Sequence, residues 1–281
     1  MKVIILINCP DQTGIISSVT GFIHANNGNI VYLDQHVDKS ANVFFMRLES
    51  DFNKVNLKSL KKNFDAQLAD KYNMQWSLHT DNKKPRMAIF VSKYNHCLYD
   101  LLSRFNSGEL PVEIPFVLSN HRDLKYVADQ FNLPYFHVPM NKENRDESEK
   151  KQIELLEEYK IDFIVLARYM QIVSGHLIHR YPNKIINIHH SFLPAFAGAK
   201  PYHAAFGRGV KIIGATSHYV TEELDAGPII EQDVTPVSHI HTISDFISKG
   251  RDLEKIVLSR AVKLHVNRKT MVYNNKTVIF S

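Results

Sequence analysis

Lys184-Ile185-Ile186-Asn187-Ile188-His189-His190-Ser191-Phe192-Leu193-Pro194 begins as an apolar run and ends in polar side chains. Lys184 to Ile188 reads as a central strand. Side chains two apart on a strand share a face, so Asn187 and His189 point one way and Ile188 the other. Four comparable runs precede it, Met87 to Val91, Ile114 to Leu118, Tyr135 to Val138 and Phe163 to Leu166. Helical segments near Leu98 to Phe105, Leu124 to Phe131 and Ile153 to Tyr159 alternate with them. That alternation predicts a doubly wound α/β domain with a largely parallel sheet over residues 86–281. In such sheets ligands bind beyond the carboxyl ends of the strands, so the residues just after each run are the candidates for chemistry.

Upstream the pattern is different. Short apolar or alternating runs at Val3 to Ile7, Ile30 to Val37, Val43 to Leu48 and Met74 to Leu78 are separated by helical spacing. Ile15, Ile16, Val19, Phe22 and Ile23 line one helix face, and Leu57, Leu60, Phe64 and Leu68 line another. The order is βαββαβ, a ferredoxin-like sandwich over residues 1–80. A polar linker, Asp81-Asn82-Lys83-Lys84-Pro85, follows. The join Asn8-Cys9-Pro10-Asp11-Gln12-Thr13-Gly14-Ile15 and the turn Asn26-Asn27-Gly28-Asn29 resemble an ACT domain, a small-molecule regulatory module. The resemblance implies an amino-acid effector near Asp11, Gly14, Asn27, Gly28 and Asn29, and a homo-oligomer formed through paired sheets. The residues themselves leave a plainer reading open, in which Asp11 caps a helix and Gly28 turns the chain.

Composition narrows the class. The 281 residues are 44% hydrophobic, 10% aromatic and 22% charged, a globular balance with no low-complexity tract. The net charge of +5 comes from basic residues scattered among 29 acids, so no nucleic-acid partner is expected. No stretch is long and apolar enough to span a bilayer, and the run from Lys2 to Ile7 stops too soon for a signal peptide. The two cysteines, Cys9 and Cys97, lie far apart and suggest neither a disulfide framework nor a zinc module. A reducing cytoplasm is the expected compartment. Fifteen histidines raise the question of a metal. No His-Glu-x-x-His or Cys/His quartet occurs, and His189 and His190 point apart on a strand, so no metal is expected.

Asn187 and His189 place an amide donor beside an imidazole, which suits an oxyanion. Fixed donors aimed at a developing oxyanion are worth about 3 to 4 kcal/mol apiece. A second segment, Gly214 to Pro228, leaves a strand and turns at Asp225-Ala226-Gly227-Pro228. Asp225 is either a turn residue or a carboxylate delivered to the site, where it would favour the protonated imidazole. Together the two segments resemble the formyltransferase fold family that uses 10-formyltetrahydrofolate, with its Asn-x-His-x-Ser-Leu-Leu-Pro and Leu-Asp-x-Gly-Pro signatures. Phe192 replaces the commoner leucine. The resemblance implies that Asn187 and His189 polarise the formyl oxygen while Asp225 handles protons. It also implies a folate site at the loop Arg168, Tyr169, Met170, Gln171 and Ile172, with Thr221, Glu222 and Glu223. From the residues alone, Met170 and Ile172 read as core and Arg168 as half of a structural ion pair.

The acceptor separates the branches of that family. Glycinamide ribonucleotide transformylases carry a glycine-bearing phosphate loop after the first strand of this domain, a place that here reads Ser92-Lys93-Tyr94-Asn95-His96-Cys97. The tRNA-directed branch adds a C-terminal β-barrel, for which Ile243 to His265 and a short tail leave no room. The ACT-like module, with Ser107-Gly108-Glu109-Leu110, Ala199-Lys200-Pro201-Tyr202-His203 and Asn275 to Phe280, is similar to the hydrolytic branch, the deformylases. That resemblance implies water as acceptor, release of formate, a folate substrate and no cofactor. His190 and His203 read as packed or hydrogen-bonding neighbours of the site. The alternatives carried forward are a glycinamide ribonucleotide formyltransferase and a catalytically silent, amino-acid-responsive binding protein.

Overall fold

The computed structural model describes residues 1–195 and 201–281, which leaves Ala199 and Lys200 of the 199–203 stretch outside the description. The chain divides into two compact units, Met1–Lys84 with Ile279–Ser281, and Pro85–Val278. The last three residues thus belong to the first unit, although the linker reading assigned them to the second.

The first unit runs β1 (Lys2–Pro10), α1 (Ile15–Ala25), β2 (Gly28–Asp38), β3 (Val43–Phe52), α2 (Leu57–Phe64), a π-helical turn (Asp65–Ala69), α3 (Asp70–Tyr72) and β4 (Gln75–Thr80). Its antiparallel sheet has the order β2-β3-β1-β4, the ferredoxin-like arrangement. Val3, Ile5 and Ile7 alternate along β1 and pack with Val19, Phe22, Ile23 and Phe64, all at most 5% exposed. Each such side chain contributes about 1.5–3 kcal/mol by leaving water. Helix α2 starts where the Asn56 side chain accepts from the Lys58 and Ser59 amides, satisfying donors that the helix cannot.

The second unit continues with β5 (Met87–Val91), α4 (His96–Asn106), β6 (Val117–Ser119), α5 (Lys125–Gln130), β7 (Tyr135–His137), α6 (Arg145–Glu158), β8 (Phe163–Ala167), α7 (Gly175–Arg180) and β9 (Ile185–His189). Then come α8 (Pro201–Arg208), β10 (Ile212–Tyr219), β11 (Ile229–Pro236), α9 (Ile243–Val266), β12 (Thr270–Tyr273) and β13 (Lys276–Ile279). The sheet order is β11-β10-β9-β8-β5-β6-β7. β5 to β9 pair in parallel, and β10 and β11 are added antiparallel. Strand parity sorts the core into two faces. Ile89, Val165, Ile186 and Ile188 join one cluster with Leu101, Val257 and Val262, while Phe90, Ile164, Leu166 and Ile185 join the other with Leu156 and Leu177.

The strand order reverses at β5, which has β6 on one side and β8 on the other. The crevice at the carboxyl ends of β5 and β8 is therefore where this fold offers a ligand site. Several elements lie outside the sequence reading. α7 is a six-residue helix too short to show periodicity, α6 starts at Arg145, ahead of Ile153, and β12 and β13 form a hairpin where a tail was expected.

Candidate active site

β9 ends at His189, and Asn187 sits one pleat back on the same face, the parity of the core residue Ile185. The antiparallel neighbour β10 fixes this end. Thr216 lies opposite His189 and His218 opposite Asn187. The Ser217 hydroxyl donates to the Asn187 carbonyl at 3.0 Å, and the Thr216 hydroxyl donates to the Ser191 carbonyl at 2.9 Å. The polar tip of the strand is thereby anchored to β10 at two points.

His218, buried on β10, is a site residue that the sequence reading passed over. Its Nδ1 lies 2.9 Å from the Tyr219 carbonyl, which can only accept, so Nδ1 carries the proton. Its Nε2 lies 3.2 Å from Asn187 Nδ2 and accepts from it in the neutral ring. One amide hydrogen of Asn187 is thus spent on orientation, and the other remains for a ligand. No local signal marked it, because its place beside Asn187 depends on β10 pairing with β9.

That turn brings Asp225 back to β9. Asp225 adopts φ 57°, a left-handed conformation that Asp tolerates better than most residues. Gly227 is needed two residues on, because a Cβ there would stand 1.8 Å from the Tyr219 carbonyl oxygen. The Asp225 Oδ2 lies 3.2 Å from His189 Nδ1, and its Oδ1 lies 3.6 Å from His218 Nε2. The hydrogen bond from His189, and after it the imidazole of His218 3.6 Å away, hold the Asp225 carboxyl well below the usual carboxylate range, against partial burial pushing it up. The His189 contact is the stronger of the two, since His218 is farther and its Nε2 is turned to Asn187. His189 is 5% exposed, and its Nε2 has no hydrogen-bond partner among the described residues. With Nδ1 committed to Asp225, that nitrogen is left for a bound molecule.

Asn187, His189 and Asp225 line one cleft of about 370 Å³ together with Arg168, Tyr169, Met170, Gln171, Ile172, Thr221 and Glu222. Glu223 is not in its wall; it is exposed, and its carbonyl accepts from the Thr221 hydroxyl. Met170 and Ile172, which read as core from periodicity, are 48% and 60% exposed, and Leu224 beside them is 65% exposed. Apolar side chains left in water around a cleft suit a planar, partly apolar ligand. Tyr169 instead packs inward, edge-on to Phe90, with its hydroxyl bonded by Gln152 and its pKa pushed up to about 12 by burial. Ser92, at the end of β5, ties the loop down by accepting from the Met170 amide at 2.9 Å while donating to Asn120.

Arg168 behaves differently from the rest of its loop. Its φ is 63°, and its guanidinium is buried beside Glu254, with Nε 3.4 Å from Oε2. The ring of Tyr94 lies under it, 4.9 Å from the guanidinium carbon. Glu254 also accepts from the Tyr202 hydroxyl and pairs with His96 Nε2 at 2.8 Å. Burial alone would raise the Glu254 carboxyl, but the His96 bond and the Arg168 charge bring it below its ordinary value. Donor atoms of His96, Cys97 and Glu254 lie within 4.8 Å of one another, the one group of metal-ligand type among the described residues. A guanidinium on the same carboxylate and a Cys97 thiol held protonated by burial make that group a poor cation site.

Two histidine expectations change. His190 does not point away from His189; β9 has ended, and the two ring centroids lie 5.2 Å apart. His203 is exposed on α8 and is not a packed neighbour of the site.

In the first unit, Asp11 and Gly14 line a separate cleft with Gln12, Ser17, Gln35 and Val37. Gly14 has φ 91° at the start of α1. Asn27, Gly28 and Asn29 do not line it, because they follow the other end of this 11-residue helix, about 16 Å away at 1.5 Å per residue. Gly28 serves packing there, since a Cβ would stand 2.6 Å from the Phe52 ring.

Residues 85–262 match the family model described as formyl transferase, and residues 3–56 match that of the ACT domain. A formyltetrahydrofolate deformylase of Synechocystis sp. is 50% identical over 99% of this chain and 98% of its own length. The crystal structure of a formyltetrahydrofolate deformylase from Pseudomonas syringae pv. tomato superposes with a TM-score of 0.97 at 43% identity, covering 100% of this chain and 95% of that one. Glycinamide ribonucleotide transformylase 1 from Symbiobacterium toebii superposes with a TM-score of 0.67 at 28% identity, covering 73% of this chain and 98% of that one.

Proposed function

The chain belongs to the formyltetrahydrofolate deformylase family, and from that premise we propose that it hydrolyses 10-formyltetrahydrofolate to tetrahydrofolate and formate. The observation that carries the residue assignment is the convergence of Asn187, His189 and Asp225 on one cleft, with His189 Nε2 without a partner among the described residues and Nδ1 held at 3.2 Å by Asp225. Protonated His189 and the spare amide hydrogen of Asn187 donate to the formyl oxygen and stabilise the charge it gains as water attacks the carbon. The attacking water loses a proton, the bond from carbon to N10 breaks as N10 gains a proton, and the formic acid set free ionises to formate in solvent. Asp225, held ionised, orients His189 through Nδ1 and relays the proton lost by the water. A carboxylate held so low is a weak base, so the relay holds the proton only in passing. The oxyanion donors and the proton relay are side chains, and the reaction as proposed requires no metal or cofactor.

The exposed apolar side chains of Met170, Ile172 and Leu224 receive the pterin ring, with Gln171, Thr221 and Glu222 at its polar edges. Arg168 and Tyr169 contribute backbone to that wall and send their side chains elsewhere. The glycinamide ribonucleotide reading has less support, because the likeness to the transformylase covers only 73% of this chain. The ACT unit carries regulation in this proposal, with an amino-acid effector at the cleft of Asp11 and Gly14 and a homo-oligomer formed through that unit. No helix of the described residues is long and apolar enough to cross a membrane, and the proposed compartment is the cytoplasm. The assay that tests the function is formate release from 10-formyltetrahydrofolate by the purified chain with no amine acceptor present.

A further inference from the structure

The reaction cleft stops short of the carboxyl end of β5. Its wall spans the loops after β8 and β9, and none of Ser92 to Cys97 lines it, although the strand order reverses at β5. The crevice expected there is taken up by the protein's own side chains. The Arg168 guanidinium enters it from the end of β8 and the Glu254 carboxylate from α9, 3.4 Å apart and both buried. His96 of α4 and Tyr202 of α8 close on Glu254 at 2.8 and 2.7 Å. The Tyr94 ring covers the outside, 4.9 Å from the guanidinium carbon of Arg168 and 5.7 Å from that of Arg251. The Arg168 Nε and Nη1 atoms are sealed from solvent, and neither has a hydrogen-bond partner among the described residues. An arginine at φ 63° adds strain. Strain and unmet donors are kept where function uses them.

The cluster stands beside the reaction centre. The Tyr202 ring that bonds Glu254 lies 5.9 Å from the His190 ring, and the His190 ring lies 5.2 Å from that of His189. A nucleophile reacts from about 3–3.5 Å, so an acceptor larger than water needs space of its own beside the folate. Toward β5 that space is held by packed side chains. His190 also borders a hollow of about 170 Å³, but its walls are mainly apolar, with Phe192, Ala205, Ile213 and Val234 among them. A polar acceptor moved there would give up its bonds to water with little in return.

We infer that Arg168, Glu254, His96 and Tyr94 form a specificity-determining plug, which fills the acceptor side of the reaction centre and leaves water as the nucleophile that fits. The inference rests on the hydrolase reading and adds to it the residues that keep amines out. An amine admitted in their place would bond through its nitrogen to the formyl carbon. The bond from that carbon to N10 would break, and the proton lost by the amine would pass to N10. The products would be a formamide and tetrahydrofolate, with no formate.

The test removes the plug in two ways and offers glycinamide, an amine smaller than the arginine side chain, as acceptor. Arg168→Gly suits the left-handed backbone, and Glu254→Gln beside it removes the charge that would otherwise be buried unpaired. Tyr94→Ala with His96→Ala opens the same place from the β5 loop and keeps the Arg168–Glu254 pair. Each full-length protein is given 10-formyltetrahydrofolate labelled in the formyl group with excess glycinamide, and label is counted in formate and in N-formylglycinamide, less the transfer seen without protein. The wild type should place its label in formate. Either double variant should raise the ratio of N-formylglycinamide to formate about tenfold or more, the scale on which pocket shape discriminates. Should one variant not fold, the other decides. A ratio no higher than that of the wild type would overturn the plug. Calorimetry of glycinamide into the proteins saturated with tetrahydrofolate reads the same space without turnover, with binding expected in the variants and none in the wild type. Equal binding by wild type and variants, or none by either, would also overturn it. A wild type that releases no formate contradicts the proposed hydrolysis alone, and the calorimetry then decides the plug.

Discussion

Asp225 is the residue on which the proposed chemistry turns, and its environment sets how it responds to change. Asp225→Asn keeps the shape of the turn and removes the carboxylate charge that faces His189 Nδ1. General acid–base assistance is worth roughly 10²–10⁴-fold, so kcat is expected to fall by about that factor while tetrahydrofolate affinity, measured by calorimetry, stays within about threefold. A kcat within about threefold of wild type would remove Asp225 from the mechanism. The carboxyl is depressed in the folded chain, so its stabilisation is complete above the unfolded value of about 3.9 and is lost as pH falls through the lower folded value. The stability difference between wild type and Asp225→Asn should therefore be present at pH 5 in denaturant titrations and shrink below about pH 4. Asn187, His189 and Asp225 could be found in the sequence because strand parity and a turn signature are local. His218 was missed because its role depends on β10 lying antiparallel beside β9, a pairing that no local pattern states. The same holds for Arg168, whose partner Glu254 comes from α9, 86 positions later.

The elements show where backbone geometry carries function. The turn between β10 and β11 delivers Asp225 only because Gly227 lets it pass against the Tyr219 carbonyl. Gly227→Ala must push the turn away from β10. It should lower kcat at least tenfold and cost about 1–3 kcal/mol of stability, the usual penalty of overpacking. Gly207, in α8 with open space at its Cβ position, is the matched control. Alanine there should leave kcat alone and stabilise by up to about 1 kcal/mol. Equal behaviour of the two variants would contradict the close-approach argument. The strands of both sheets were legible because each alternates or runs apolar between polar turns, whereas α7 and the β12–β13 hairpin were not. Six residues give too little periodicity for a helix, and a hairpin of four-residue strands with every side chain half-buried or exposed shows no core pattern.

At the scale of the whole chain, two units with separate cores carry separate tasks in the proposal. An effector at the first unit should appear as heat stabilisation by one or a few of the twenty amino acids in a thermal-shift screen. Asp11→Ala should abolish the shift, and Asn29→Ala should leave it unchanged because Asn29 lies at the far end of α1. Stabilisation by none of the twenty would leave the unit a structural or oligomerising role.

The central claim is that water is the acceptor, and the most direct measurement of it follows both products in one reaction. Purified protein is given 10-formyltetrahydrofolate in buffer free of amines, and formate and tetrahydrofolate are counted against time, with and without glycinamide ribonucleotide. Formate and tetrahydrofolate should appear in equal amounts from the start, at a rate that the ribonucleotide does not raise. Turnover that begins only when the ribonucleotide is added, with the formyl group recovered on its amine and no free formate, would contradict it.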